Sequence, residues 1–236
     1  MKFDPSFEQG TLLARYKRFF ADVLRADGDI LTVHCPNTGS MKHCVVPHTP
    51  CWFSLSDNPR RKLAGTLEIT TTPQGYLAGV NTGRANQLVR EAIDDGAIAE
   101  LAGYATVLGE VRYGAENSRI DLLLSGANRR DCYVEVKNVT FEQQGGLITF
   151  PDAVTSRGTK HLRELIATVR AGHRAVLLFC VQHSGAQRVA PADDIDPLYG
   201  RTLREAISAG VEVVAYGCRM TAEEIVIDRR LDVVCP

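Results

Sequence analysis

Tyr133-Val134-Glu135-Val136-Lys137 is the stretch from which the fold of this chain can be read. β-Branched residues alternate there with longer side chains, the pattern of a strand. Strand side chains repeat every second residue, so Glu135 and Lys137 share a face. Fourteen positions upstream stands Asp121, within Ser118-Arg119-Ile120-Asp121-Leu122-Leu123-Leu124, a second strand pattern. Two carboxylates brought together this way suit a hard divalent cation such as Mg²⁺, which takes oxygen ligands and keeps several waters. A neighbouring Lys then steadies a nucleophile and developing negative charge. An ordinary half-exposed strand also carries Glu and Lys on its wet face. The surroundings must decide.

The next segment supplies them. Leu162, Leu165, Ile166 and Val169 fall at the spacing of one helix face, and Gly172 supplies a stop. Ala175-Val176-Leu177-Leu178-Phe179-Cys180-Val181 is then an unbroken apolar run, the mark of a strand buried on both faces. Strand, helix and buried strand predict a βαβ unit with its two strands parallel. A strand beside a buried central one is a costly place for Glu135 and Lys137 unless they serve a purpose.

Asp, then Glu-x-Lys on the following strand, is the spacing of the PD-(D/E)xK nuclease core, with Ile120 where that motif has Pro. Several strings are more specific. Cys35-Pro36-Asn37-Thr38-Gly39-Ser40-Met41, Ser118-Arg119-Ile120-Asp121, Val134-Glu135-Val136-Lys137-Asn138-Val139-Thr140 and Phe150-Pro151-Asp152-Ala153-Val154-Thr155 resemble the sugar fermentation stimulation protein A family. Arg157-Gly158 and Lys160-His161-Leu162 extend the match in order. The resemblance implies an N-terminal OB-fold domain, a C-terminal nuclease-like α/β domain, and DNA binding without strong sequence preference.

Length and composition agree with two small domains. The chain has 236 residues, 44% hydrophobic and 23% charged, within the ordinary globular range. No apolar run approaches the ~20 residues that span a bilayer, and Met1-Lys2-Phe3-Asp4-Pro5 lacks the apolar core of a signal peptide. Seven Cys with no Cys-x-x-Cys pair predict reduced thiols in the cytoplasm. The net charge of −1 does not announce a nucleic-acid binder. Residues 1–80 carry nine Lys and Arg against seven Asp and Glu, so any attraction to DNA must come from local patches.

The expected fold class is α/β with an all-β N-terminal domain. Residues 1–80 form a small five-stranded OB-like barrel, and residues 81–236 a mixed-sheet α/β domain of the restriction-endonuclease kind. In the barrel, 11–23 and 30–34 read as strands around the turn Ala26-Asp27-Gly28-Asp29. Arg15, Lys17 and Arg18 alternate there with Tyr16, Phe19 and Phe20, a pattern that suits phosphate tracking and base stacking and equally a plain half-buried strand. Pro36-Asn37-Thr38-Gly39-Ser40 reads as a loop able to face an anion, or as a simple turn. Cys35, Cys44 and Cys51 near His34, His43 and His48 match no established zinc spacing, so core packing is expected of them. Arg60-Arg61-Lys62 is a basic run suited to phosphate contact. Segments 63–72 and 76–80 form a second hairpin.

In the second domain, 88–95 reads as a helix closed by Gly96, with Glu91 on its flank. Segment 104–111 reads as a strand bearing Glu110. Turns at 113–117 and 126–131 join it to the Asp121 and Glu135 strands in an antiparallel meander. Asp121, Glu135 and Lys137 are the candidate catalytic residues, and Asp121, Glu135 and Glu110 the candidate ligands for Mg²⁺ or Mn²⁺. Arg157, Lys160 and His161, at the start of the following helix, are candidate phosphate contacts. Segment 183–200 reads as a loop, 203–209 as a helix, 211–216 as a strand, and 225–227 and 231–234 as two final strands. Two functional readings follow: a cytoplasmic DNA-binding protein, a regulator of sugar (maltose) metabolism, whose nuclease-like core is a scaffold, or a metal-dependent DNA phosphodiesterase. A third is that the barrel binds a protein partner. DNA is the expected partner, with no membrane and no small-molecule cofactor, and a homodimer is compatible with the sequence.

Overall fold

The structure is a computed structural model that describes residues 1–114, 118–126 and 128–235. The turn expected at 113–117 and part of that at 126–131 lie outside the described residues. Strands β1 (Glu8–Tyr16), β2 (Phe20–Leu24), β3 (Ile30–His34), β4 (Thr49–Leu55), β5 (Gly65–Thr71) and β6 (Leu77–Gly79) form one sheet in the order β3-β2-β1-β4-β5-β6. A parallel pairing of Val33 with Gly65 closes β1–β5 into a five-stranded barrel. Strand alternation sends Leu12, Val23, Val33, Phe53 and Leu67 into its interior, where they are fully buried. Cys35, Cys44 and Cys51 pack among them and act as small apolar residues.

The single strand expected over 11–23 is two strands. Lys17 and Arg18 sit in left-handed conformations, φ 47° and 64°, and turn β1 back on β2. No Gly, Pro or Asn marks this turn, so the sequence pattern runs straight through it. The second hairpin forms as expected, with β5 antiparallel to β6 and Gly75 at φ 82°.

The second domain begins with a 3₁₀ turn at Thr82–Arg84 and helix α1 (Ala85–Asp94). A further 3₁₀ turn, Ala99–Leu101, precedes β7 (Thr106–Tyr113), β8 (Ser118–Ser125) and β9 (Cys132–Val139). These three are the expected antiparallel meander. Then come β10 (Phe141–Gln144), β11 (Leu147–Phe150), α2 (Ser156–Arg170), β12 (Arg174–Val181), β13 (Arg188–Pro191), α3 (Pro197–Ser208), β14 (Glu212–Met220) and β15 (Ile225–Val233). The sheet order is β10-β11-β13-β15-β14-β12-β9-β8-β7. Strands β9, β12 and β14 run parallel, with Glu135 opposite Leu177 and Lys137 opposite Phe179. Helix α1 covers one face of the sheet, and α2 and α3 the other.

Three expectations are corrected here. A hairpin, β10–β11, intervenes between β9 and α2, where Gly145 and Gly146 (φ 60° and 74°) close a two-residue turn whose Gly-Gly signal went unread. Segment 183–200 contains β13 and the start of α3. Asp196 and Pro197 are a helix start, with Asp196 accepting from the Tyr199 N–H at 3.0 Å and Pro197 in the first turn. The two strands expected at the C-terminus are one, β15, which bulges at Asp228 opposite Gly217 and Cys218 of β14. No helix among the described residues is long and apolar enough to cross a membrane.

Glu68 fastens the barrel to the second domain. It is fully buried on β5, and both its oxygens are taken. Arg84 forks onto them at 2.7 and 3.1 Å, Ser54 donates to Oε1 at 2.8 Å, and Asn81 donates to Oε2 at 2.9 Å. The Arg84 guanidinium lies over Phe3 and Phe7, 5.1 and 5.9 Å from their ring centres.

Candidate metal and nucleic-acid site

Adjacent strands β8 and β9 bring Asp121 and Glu135 into one cluster, and a helix on each face of the sheet reaches one of them. From α1, Asn86 donates to Asp121 Oδ1 at 2.9 Å, and the Val136 N–H donates to Oδ2 at 2.7 Å. From α2, His161 Nδ1 bonds Glu135 Oε1, which also accepts from Lys137 Nζ at 2.6 Å. His161 reaches it because α2 starts one turn earlier: Thr155 caps the helix by accepting from Gly158, which turns His161 and Leu162 inward. Glu135 Oε2 is buried and has no partner among the described residues.

Electrostatics sets the two acids apart. Burial and the neighbouring Glu135 charge push the Asp121 carboxyl above its ordinary range, against the opposing Val136 and Asn86 hydrogen bonds. Burial would raise Glu135 too, but the His161 hydrogen bond and the Lys137 charge outweigh it and hold that carboxyl low. Burial, followed by the charges of Glu135, Glu164 and Asp121, drives the Tyr113 phenol well above its usual range, and its hydroxyl is buried without a partner among the described residues.

Among the described residues no group of three or more His, Cys, Asp or Glu side chains is arranged to hold a metal. The donor set is therefore two carboxylates, with one orphaned oxygen. That set fits a hard cation that completes its shell with water, and it does not fit the four-ligand demand of structural zinc.

The other candidates are dispersed. Glu110 is exposed on the edge strand β7 in a left-handed conformation, φ 56°; counting from the Gly109–Leu122 and Val111–Ile120 pairs, it stands across from Asp121. Arg15 does not present a free guanidinium. Its Nη2 donates to the carbonyls of Arg18, Asn37 and Gly39 at 3.1, 2.9 and 3.2 Å. Lys17 and Arg18 are exposed at the β1–β2 turn beside exposed Tyr16 and Phe19. Arg60, Arg61 and Lys62 are exposed after β4, with Arg61 donating to Thr66 Oγ1 at 2.7 Å. Arg157 is exposed and reaches His161 Nε2 at 3.4 Å, Lys160 is half-buried, and His161 is buried against Glu135. Glu91 pairs with the N-terminal ammonium at 2.8 Å.

Sequence reasoning missed Asn86 and Tyr113 as neighbours of the acids, and it gave His161 to phosphate rather than to Glu135. Asn86 had no signal beyond its place in the first turn of α1. His161 could have been found: it and Leu162 adjoin on a helix packed over β9, so one of them faces the Glu135 side of that strand.

Barrel, mixed sheet and strand-borne acids together define a class, an OB-like domain joined to a restriction-endonuclease-like α/β domain. The model of the sugar fermentation stimulation protein RE domain matches residues 83–224, and that of the SfsA N-terminal OB domain matches residues 13–80. The chain belongs to the sugar fermentation stimulation protein family. It is 59% identical to the homolog from Teredinibacter turnerae over 99% of this chain and 100% of that one. It is 55% identical to the homolog from Pseudomonas syringae pv. syringae over 99% and 98%. Among solved structures, SfsA of Pyrococcus furiosus in complex with Ca²⁺ matches with a TM-score of 0.87 at 27% identity, covering 99% of this chain and 98% of that one.

Proposed function

We propose that this is a cytoplasmic DNA-binding protein with little sequence preference, in which Asp121 and Glu135 hold a divalent cation that receives a backbone phosphate. The carrying observation is the Glu135 Oε2 atom, buried beside a second carboxylate and without a partner among the described residues. A buried charged oxygen left without a partner costs several times an ordinary hydrogen bond, and a bound cation removes that cost. That the Pyrococcus furiosus relative was solved with Ca²⁺, another hard cation, supports the choice. Exposed Lys17, Arg18, Arg60 and Lys62 on the barrel supply sequence-independent phosphate contacts. Isothermal titration with Mg²⁺ and Mn²⁺, on the wild type and on Asp121→Ala, tests the site. One bound cation in the wild type and none in the variant is expected, with DNA affinity that falls when the cation is chelated. No cation bound by either protein overturns the site.

Cleavage is the second reading, and the place of Lys137 favours it. A cation bound here supplies a polarised phosphoryl oxygen and a water of lowered pKa. Lys137 holds its charge 2.6 Å from Glu135, on the same strand face, where it can stabilise a phosphate that arrives at the cluster. His161 orients Glu135, and Asn86 with the Val136 N–H orients Asp121. The assay incubates single- and double-stranded DNA with the protein and Mn²⁺, with Asp121→Ala as control. Cleavage by the wild type alone is expected; equal cleavage by both, or none, removes the enzymatic reading.

A further inference from the structure

Between the domains lies a cavity of about 160 Å³ that the metal cluster does not use. Asn37 closes it from the barrel side, and Asn138, Phe141, Thr149, Phe150 and Asp152 line it from the second domain. It lies at the C-terminal end of β9, where Asn138 follows Lys137 but points to the opposite face of the strand. The volume is several times a water's share of ~30 Å³. It falls below the ~300 Å³ at which sites for drug-sized ligands begin. One ring-sized group fits it.

The wall is built rather than incidental. Residues 36–40 form a strap over the cavity, tied to the barrel by Arg15, which donates to the Asn37 and Gly39 carbonyls. It is tied to the second domain by Ser40, whose hydroxyl donates to Asp152 Oδ2 at 2.8 Å. Gly39 allows this approach, since a Cβ there would stand 2.9 Å from Asp152 Oδ2 and 3.0 Å from Asn37 Oδ1. The anion that this loop faces is thus a carboxylate of its own chain. Inside, Thr149 is 2% exposed and its Oγ1 has no partner among the described residues. The Asn138 Oδ1 accepts from Gln182, which leaves the amide nitrogen as that side chain's donor.

We infer that this cavity receives a single nucleobase. Phe141, paired across from Thr149 on the same sheet face, gives an apolar side for a flat ring, while the Phe150 ring packs on Phe179 and Tyr199 and leaves its backbone at the rim. An amide, a hydroxyl and a carboxylate give the mixed donors and acceptors that a base edge needs. Among the described residues of the lining the one formal charge is the Asp152 carboxylate, which repels phosphate and accepts from ring or exocyclic N–H groups. The inference deepens the DNA-binding proposal and rests on it: the base belongs to a strand held by the protein, and a free nucleoside presents the same chemistry.

Two probes separate the sources. Oligonucleotides carrying 2-aminopurine at one unpaired position are titrated with the full-length protein, and anisotropy and 2-aminopurine fluorescence are read together. Deoxynucleosides and glucose are tested separately by saturation-transfer NMR. A fluorescence change in step with binding, and a nucleoside signal absent for glucose, are expected. Thr149→Val keeps the shape of the side chain and removes the hydroxyl, and Asp152→Asn removes the charge. Each should weaken nucleoside binding by about tenfold, the loss of one good hydrogen bond. Because Thr149→Val deletes a buried hydroxyl with no partner among the described residues, its melting temperature should not fall, so weaker binding will not reflect misfolding. DNA binding with no aminopurine response at any position and no nucleoside signal overturns the inference while the DNA reading stands. A nucleoside signal without DNA binding upholds the cavity and sinks the DNA reading. A glucose signal alone, or variants that bind nucleosides as the wild type does, overturns the inference.

Discussion

Glu68 and Glu135 are both acids buried on strands, each beside a cation, yet they are built to opposite ends. Every oxygen of Glu68 is satisfied: Arg84, Ser54 and Asn81 take both, and nothing is left to offer a ligand. Among the described residues, Glu135 has two donors crowded on Oε1 and none on Oε2. A closed carboxylate holds a structure together, whereas an open one waits for something. Burial and a basic neighbour alone do not separate the two; counting lone pairs does.

The sharpest way to test that contrast is to break the closed pair. Arg84→Ala strips two charge-assisted bonds from a fully buried acid and leaves it unpaired. Removing one partner of a buried ion pair costs about 3–5 kcal/mol. Urea denaturation should show the loss, and it should be the largest of the single substitutions considered. Recovery of most of the stability in Arg84→Met with Glu68→Gln would confirm that the cost is an orphaned charge.

A third buried acid, Glu142, refines the comparison. Its Oε1 accepts from the Gly146 N–H at 2.9 Å, and its Oε2 faces His183 Nε2 at 3.6 Å. His183 seats the barrel hairpin on the second domain, through the Ala78–His183 bridge and the Tyr76 ring 5.7 Å away. Burial, and to a smaller extent Arg229, hold His183 below its ordinary pKa of 6.5, although Glu142 opposes them. Below about pH 6.5 the unfolded chain takes up a proton that the folded chain resists, so stability falls as the pH drops. The slope can reach about 1.4 kcal/mol per pH unit for one proton. His183→Gln should flatten it between pH 6.5 and 5; an unchanged slope would show that other groups carry the acid sensitivity.

How much of this was legible beforehand follows from what the pattern of residues encodes. The βαβ core was, because Val176–Val181 is apolar without a break and the strand of Glu135 alternates. That Asp121 would lie beside Glu135 and Lys137 was, because two short strands in a meander must lie side by side. The Lys17-Arg18 turn was not, since left-handed residues other than Gly, Asn and Asp carry no cue. Nor was the strap, because the bond from Ser40 to Asp152 spans 112 positions and nothing local announces it. His161 sits between the cases. Its helix was legible, but the face it presents depended on where Thr155 caps that helix.

Asp121 is expected to respond in the opposite sense to Arg84. Its carboxyl is disfavoured as an anion by burial and by Glu135. Asp121→Asn keeps the oxygen that accepts from Val136 while removing that repulsion. The metal-free melting temperature should stay the same or rise by a few degrees, while Mg²⁺ binding is lost. A drop of many degrees would make Asp121 a structural residue like Glu68, and the open-carboxylate argument would fail.

The smallest effect on stability, and the most diagnostic of the barrel surface, concerns Arg15 against Lys17 and Arg18. The three were read together from one basic and aromatic run, but only the last two are exposed at a turn with their charges outward. Lys17→Ala with Arg18→Ala should leave the melting point within a degree or two and weaken DNA equally on unrelated sequences. The slope of log affinity against log salt should flatten by about 0.7 per lost contact on single strands, or 0.9 on duplex. Arg15→Ala should instead lower stability, because three carbonyls lose their donor, and should change the salt slope little. Equal salt effects from all three would place Arg15 on the phosphate path and return the strap to a plain turn. A slope unmoved by Lys17 and Arg18 would leave Arg60 and Lys62 as the barrel's remaining candidates for contact with DNA.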